Sequence, residues 1–230
     1  MRELVGRVAV ICGISVAIFL PTAVSGNQSV KLPPPSYKGN VSVEAAMRSM
    51  KSVRNFSGAP LSLQQISQIL WAANGRLPTD AVSGATTKVT PSAGGLYPLE
   101  IFVLTGKGSV ESLPEGIYLY KPETNSLSLV ESGDKRNLLA YASLSQMWMT
   151  RAPATIVIAG AFGRTTSRYG DRGVQYVFME AGNSNQNIYL QAAAMRLGAG
   201  TVGAFNDAQV AAVLKLPGDV KPLLLVPVGK

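Results

Sequence analysis

Residues 174–203 read VQYVFMEAGNSNQNIYLQAAAMRLGAGTVG. The first part, Val174 to Leu197, is long, rich in Ala, Leu and Met, and free of proline, which predicts one long helix at the centre of the fold. The second part, Gly198-Ala199-Gly200-Thr201-Val202-Gly203, matches the spacing of a dinucleotide-binding glycine loop. Such a loop must follow a strand and open a helix, because the pyrophosphate sits on the helix N-terminus. Here the order is reversed: a helix leads in, and Thr201–Phe205 reads as a short strand. The glycines therefore read as a helix-to-strand turn, and a doubly wound nucleotide-binding sheet is set aside.

Outward from this stretch, helical and strand patterns interleave. Val43 to Met50 has helical spacing. Ser62 with Gln65 forms a capping box, and Leu63, Ile66, Ile69 and Leu70 carry that helix to Asn74. Gly75 to Pro91 is a loop, rich in Gly, Pro, Ser and Thr. Leu99–Leu104 reads as a strand, and Ile117–Tyr120 and Leu127–Val130 as a hairpin turned at Pro122 to Asn125. Asn137–Met149 reads as a helix, Ala154–Ala159 as a buried strand, Asp207 as the cap of a helix ending at Leu214, and Leu223–Val228 as the last strand. Hairpins mixed with crossovers predict an α+β layered fold.

The chain has 230 residues, of which 47% are hydrophobic and 15% charged, enough for one full core and too little charge for a disordered chain. Its formal net charge is +8, yet the lysines and arginines are scattered with no run of three. That pattern argues against nucleic-acid binding and suits a small anionic ligand. There is no histidine, and the one cysteine is Cys12. Triad hydrolysis, zinc–cysteine sites and disulfides are thereby excluded, so no metal ligands are assigned. Any redox chemistry must come from a bound organic cofactor.

Arg2 and Arg7, the apolar run Val8–Leu20, and the small residues Ala23 and Ser25 describe a signal peptide over residues 1–25. The expectation is a periplasmic or secreted protein that meets the membrane only during export. Residues 26–41, with Pro33-Pro34-Pro35, read as an extended linker outside the core, and residues 42–230 as the domain.

Two segments carry candidate chemistry. Arg48, Lys51 and Arg54 are three residues apart, and Ser52 adds a hydroxyl, a set suited to a phosphate or an anionic ring edge. Left to itself, such a charge set is a solvated helix face. In Lys88-Val89-Thr90-Pro91-Ser92-Ala93-Gly94-Gly95-Leu96-Tyr97-Pro98-Leu99-Glu100 the small residues let backbone approach a flat ligand. The alternative is a plain turn feeding the next strand.

Together these segments resemble the nitroreductase family, and within it the SagB-type dehydrogenases, which oxidise azoline rings in modified peptides. The match to the family runs through Pro91 to Glu100, Arg168-Tyr169-Gly170-Asp171-Arg172, Glu180-Ala181-Gly182-Asn183, Gln186-Asn187, Val202-Gly203-Ala204-Phe205 and Val226-Pro227-Val228-Gly229, in family order. The resemblance implies a three-layer fold, with a mainly antiparallel sheet flanked by helices, and a homodimer with FMN at the subunit interface. It implies phosphate and ring-edge contacts from Lys51, Ser52 and Arg54. Met50 stands where the family carries its first arginine, and Arg48, one turn back, would take over that role. Pro91, Ser92, Ala93, Gly94, Gly95 and Tyr97 would lie along the ring from the second subunit, and Lys88 would face its N1 side. Gly203 and Ala204 would approach N5, and Lys230 would reach the phosphate. Arg168 and Tyr169, the candidate catalytic pair, stand where the family often carries Lys-Tyr; the Tyr169 hydroxyl is either a proton donor or acceptor or that of an ordinary half-buried tyrosine, NAD(P)H is the candidate electron donor, and a small molecule or modified peptide the substrate. Two departures, Asn183 where the family carries His and Arg168 where it carries Lys, touch the substrate side. They motivate an alternative, an exported flavin-binding or scaffolding protein without catalysis.

Overall fold

The computed structural model describes residues 29–79 and 86–230. The predicted signal peptide lies outside those residues. Seven strands form one sheet: β1 Ser29–Lys31, β2 Leu99–Thr105, β3 Gly116–Lys121, β4 Ser126–Ser132, β5 Ala154–Ala161, β6 Gly198–Ala199 and β7 Val220–Gly229. Their order is β1-β4-β3-β2-β5-β7-β6, with antiparallel neighbours throughout. Helices α1 Val43–Ser49, α2 Leu63–Asn74, α4 Phe162–Tyr169 and α5 Arg172–Ala194 cover one face. Helices α3 Arg136–Ala142 and α6 Asp207–Leu214 cover the other.

The two-residue repeat of the strands builds these layers. In β2, Leu99, Ile101 and Val103 pack toward α2 and α5, while Phe102 and Leu104 pack toward α3 and α6. β5 alternates in the same way and is buried at every position, because both of its faces are covered. β7 carries Pro222, and the register against β5 slips between Ile158 and Ala159 at that point. The irregularity puts the proline where the ladder is already interrupted. The capping box of α2 is present: the Ser62 hydroxyl accepts from the Gln65 amide at 3.2 Å, and the Gln65 side chain accepts from the Ser62 amide at 2.9 Å.

Several expectations are corrected. Residues 26–41 do not stand wholly outside the core: Ser29–Lys31 pairs with β4, and Leu32 is buried in the α2/α5 core. The helix expected over Asn137–Met149 ends at Ala142. The Ser143 hydroxyl bonds back to the Leu139 carbonyl, Leu144 and Ser145 adopt left-handed backbone, and a 3-10 turn resumes at Met147–Arg151. Thr201–Phe205 is not a strand. The strand is Gly198–Ala199, followed by a single bridge from Val202 to Leu225, after which the chain leaves the sheet. Asn206, not Asp207, caps α6, accepting from the Gln209 amide at 3.0 Å. The helix α4 has no counterpart among the sequence-based expectations.

Candidate active site

One group of predicted residues gathers at the sheet edge beside β6. Ser52 bridges Ala199 in parallel, and the Val53 amide donates to the Ala199 carbonyl at 2.8 Å. The Tyr189 hydroxyl of α5 accepts from the Thr201 amide at 2.8 Å and lies 3.3 Å from Ser52 Oγ. Val53 turns inward, while Lys51, Ser52 and Arg54 stay exposed. The Arg54 guanidinium lies 6.0 Å from the centroid of Trp148, which stacks on Phe56. The Ser57 amide donates to the Lys230 carbonyl at 2.7 Å, which joins the last residue to the same segment. Among the described residues, Arg48, Lys51, Arg54 and Lys230 form no ion pair.

A cleft of 210 Å³ opens here, lined by Ser49, Lys51, Tyr189, Arg196 and Gly198 among others. Arg48 borders a neighbouring hollow with Arg196 and does not line the cleft itself. Gly203 and Ala204 are exposed on the turn that follows. The Gln146 amide steadies that turn, donating to the Ala204 carbonyl at 3.0 Å. The space above Gly203 is open, with Leu224 Cδ2 the nearest atom at 3.9 Å from where a Cβ would stand.

A second group forms around the Pro91–Tyr97 loop. The Thr90 and Ser184 hydroxyls both donate to the Ala73 carbonyl, at 2.7 and 2.8 Å, which pins the loop between α2 and α5. Gly94, Gly95 and Tyr97 all have positive φ, at 60°, 66° and 47°. Tyr97 is a poor residue for that conformation and is held from several sides. Its amide donates to Ser92 Oγ at 2.9 Å, and its hydroxyl accepts from the Lys88 amide at 3.2 Å. The Lys88 ammonium sits 5.1 Å from its ring centroid, and Arg164 donates to its carbonyl at 3.3 Å while pairing with Glu100.

Gly94 meets the end of α4. A Cβ there would stand 2.6 Å from the Tyr169 hydroxyl and 3.0 Å from Arg168 Nη1. The Tyr169 ring rests edge-on against Tyr176. Gly94→Ala is therefore expected to strain the turn and displace Tyr169, at about 1–3 kcal/mol. A urea titration should show the lowered midpoint; an unchanged midpoint would contradict this packing.

Glu180 lies at the base of the loop and is only 3% exposed. Burial pushes its carboxyl up to about 7, although the Ser92 hydroxyl and the Lys88 ammonium favour the ionised form. Its Oε1 is buried without a hydrogen-bond partner among the described residues. Lys88 is pulled below the ordinary lysine range, chiefly by burial, against the attraction of Glu123 at 3.7 Å. Sequence reasoning assigns no role to Glu180 or Tyr189. A signal for Glu180 does exist: it shares the buried stripe of α5 with Val177, Ala181, Ser184 and Ile188. Arg164 and Trp148 carry no comparable signal.

The predicted residues thus fall into two sets. Lys51, Ser52, Arg54, Gly203, Ala204 and Lys230 share the β6 edge, and Lys88, Pro91–Tyr97, Arg168 and Tyr169 share the loop and α4. Glu180 and Tyr189 mark the two sets on α5, nine residues apart, or roughly 13 Å along the axis.

The sequence profile of the Nitroreductase family matches residues 47–230. The chain belongs to the nitroreductase family. This nitroreductase-family chain is 40% identical over 190 residues to the nitroreductase-like protein MJ1384 of Methanocaldococcus jannaschii, covering 83% of this chain and 91% of that one. It is 28% identical over 148 residues to the microcin B17-processing protein McbC of Escherichia coli, covering 62% of this chain and 54% of McbC. The crystal structure of a nitroreductase-type protein from Ralstonia eutropha matches with a TM-score of 0.73 at 27% identity, covering 88% of this chain and 89% of that one. The nitroreductase family is one of flavin-dependent oxidoreductases, and the antiparallel three-layer fold agrees with its solved members.

Proposed function

We propose that the protein is an FMN-dependent oxidoreductase that works as a homodimer, each site lined by the β6 edge of one protomer and the Pro91–Tyr97 loop of its partner. The observation that carries this is the exposed set Lys51, Ser52 and Arg54, without ion pairs among the described residues, held on the Ala199 bridge from which the chain runs on to the open Gly203–Ala204 turn. Free cations and a hydroxyl suit a phosphate, and a backbone turn with no side chain in the way suits the face of a flat ring. Exposed Val43 and Met47 on α1, with Phe178 and Met179 on α5, offer apolar surface for that assembly.

When bound, FMN supplies a two-electron carrier that accepts hydride at N5. Lys51, Arg54 and Lys230 hold the phosphate, with Arg48 in reserve from α1. Lys88 offsets negative charge at the N1 side. Gly94 leaves room for Tyr169, whose hydroxyl moves a proton on the substrate side, while the Arg168 guanidinium orients charge. NAD(P)H is the proposed donor. The substrate is a small molecule or, by analogy with the SagB-type branch, a modified peptide. Export to the periplasm or beyond completes the proposal.

Natively purified protein should be yellow, show flavin absorbance and bleach with dithionite. Protein that stays colourless and takes up no added FMN would overturn the reading. Flavin binding without turnover of NADPH, quinones or nitroarenes would favour the non-catalytic alternative.

A further inference from the structure

We propose that Glu180 is a positioning residue that takes up a proton when two electrons are stored at this site, leaving the Lys88 ammonium free to face the ring. The inference rests on the FMN reading above.

The geometry begins with Ser92. Its oxygen accepts the Tyr97 amide, and its hydroxyl favours the ionised form of the nearby Glu180 carboxyl. The carboxyl oxygen Oε1 is buried and has no partner among the described residues. Lys88 is the cation that acts on Glu180. Lys88 in turn faces Glu123 and feels Arg164, and Arg164 is neutralised by Glu100. Arg168 and Tyr169 close the far side of Gly94. The ammonium thus pairs with Glu123 and acts at longer range on Glu180.

An added negative charge at the N1 side makes a third claim on the same ammonium. Like charges in a poorly solvated site cannot all stay ionised. Glu123 has an exposed side chain, whereas Glu180 does not. Glu180 is the group that gives way, and its free Oε1 is where the proton goes. In balance, two electrons and one proton reach the ring from a nicotinamide or from dithionite and water. A second proton leaves water and forms the O–H bond on Glu180; on reoxidation it returns to solvent.

The test is the pH dependence of the midpoint potential of the FMN-loaded protein. One proton per two electrons gives a slope of about 30 mV per pH unit, and two give about 59 mV. At about pH 8, above the resting value of Glu180, the wild type should approach the steeper slope and Glu180→Gln the shallower one. A Glu180 that only supported the loop would alter FMN affinity and leave the slope alone. Reduction of the wild type at about pH 8 in weak buffer with a pH indicator should consume close to two protons per flavin, a measurement that needs no variant to fold. Equal slopes in the two proteins, or one proton per flavin in the wild type, would overturn the inference while leaving FMN binding intact. A chain that binds no FMN would overturn the functional reading, and this inference with it.

Discussion

Replacing Lys51 and Arg54 together by alanine should weaken FMN binding by about 10²–10⁴-fold. Both side chains are exposed and lack ion pairs among the described residues, so the fold draws on their charge only through the 6.0 Å approach of Arg54 to the Trp148 ring. What holds their segment in place is backbone: the Ser52–Ala199 bridge and the Val53–Ala199 hydrogen bond. A hydrogen bond to a charged group is worth about 1.5–3 kcal/mol net, so removing two costs about 3–6 kcal/mol of affinity. Flavin fluorescence titration measures the change, and circular dichroism checks that the fold survives. The wild-type affinity should also fall as salt rises, because exposed charges are screened. A double variant that binds FMN like the wild type would remove these residues from the site.

The second large effect concerns stability and pH. A carboxyl whose folded value stands at about 7, against 4.5 unfolded, binds its proton more tightly in the folded chain. Its contribution is fully present below the unfolded value and is lost as pH rises through 7. Over that window Glu180 should withdraw about 3 kcal/mol from the stability of the FMN-free protein. Asp134 runs the other way: despite its burial, the hydrogen bonds from Arg136 hold it below the usual carboxylate range, so its contribution is lost in acid. Comparing the wild type with Glu180→Gln cancels Asp134. Between pH 4.5 and 8 the variant should gain on the wild type by roughly 6–12 °C in melting temperature for a chain of this size. Parallel melting curves across that range would show that Glu180 is not the buried acid its setting implies.

Much of the fold was legible because its signals are local. The capping box at Ser62, the hairpin turned at Pro122–Asn125 and the proline-free run into Leu197 each specify an element within a few residues. The features that sequence patterns do not reveal depend on partners far along the chain. Leu144 and Ser145 break a helical pattern because Gln146 reaches the Ala204 carbonyl, 58 positions away. Gly203 and Ala204 leave the sheet because Val202 makes only one bridge, to Leu225. α4 is short and polar on average, and its inward face is marked by only two apolar residues, Phe162 and Tyr169, beside Thr165 and Thr166, so Arg164 has no visible role in the sequence.

The site divides in the same way. The family motifs named the cations and the glycine-bearing loops. Their resemblance could not supply the ring of contacts that fixes Tyr97, or the carboxylate below it, since these arise only when α5, α4 and the loop meet.

Ser29–Lys31 occupies the outer edge of the sheet beside β4, and Gln68 clasps the chain just beyond it, bonding both the amide and the carbonyl of Ser36. A chain trimmed to begin at residue 42 would strip this cover away. The backbone groups of Ser126, Leu127 and Ser128 would then stand open as a template for a foreign strand. The opening residues thus act as a guard against aggregation, and any truncation meant to tidy the protein for study should spare them.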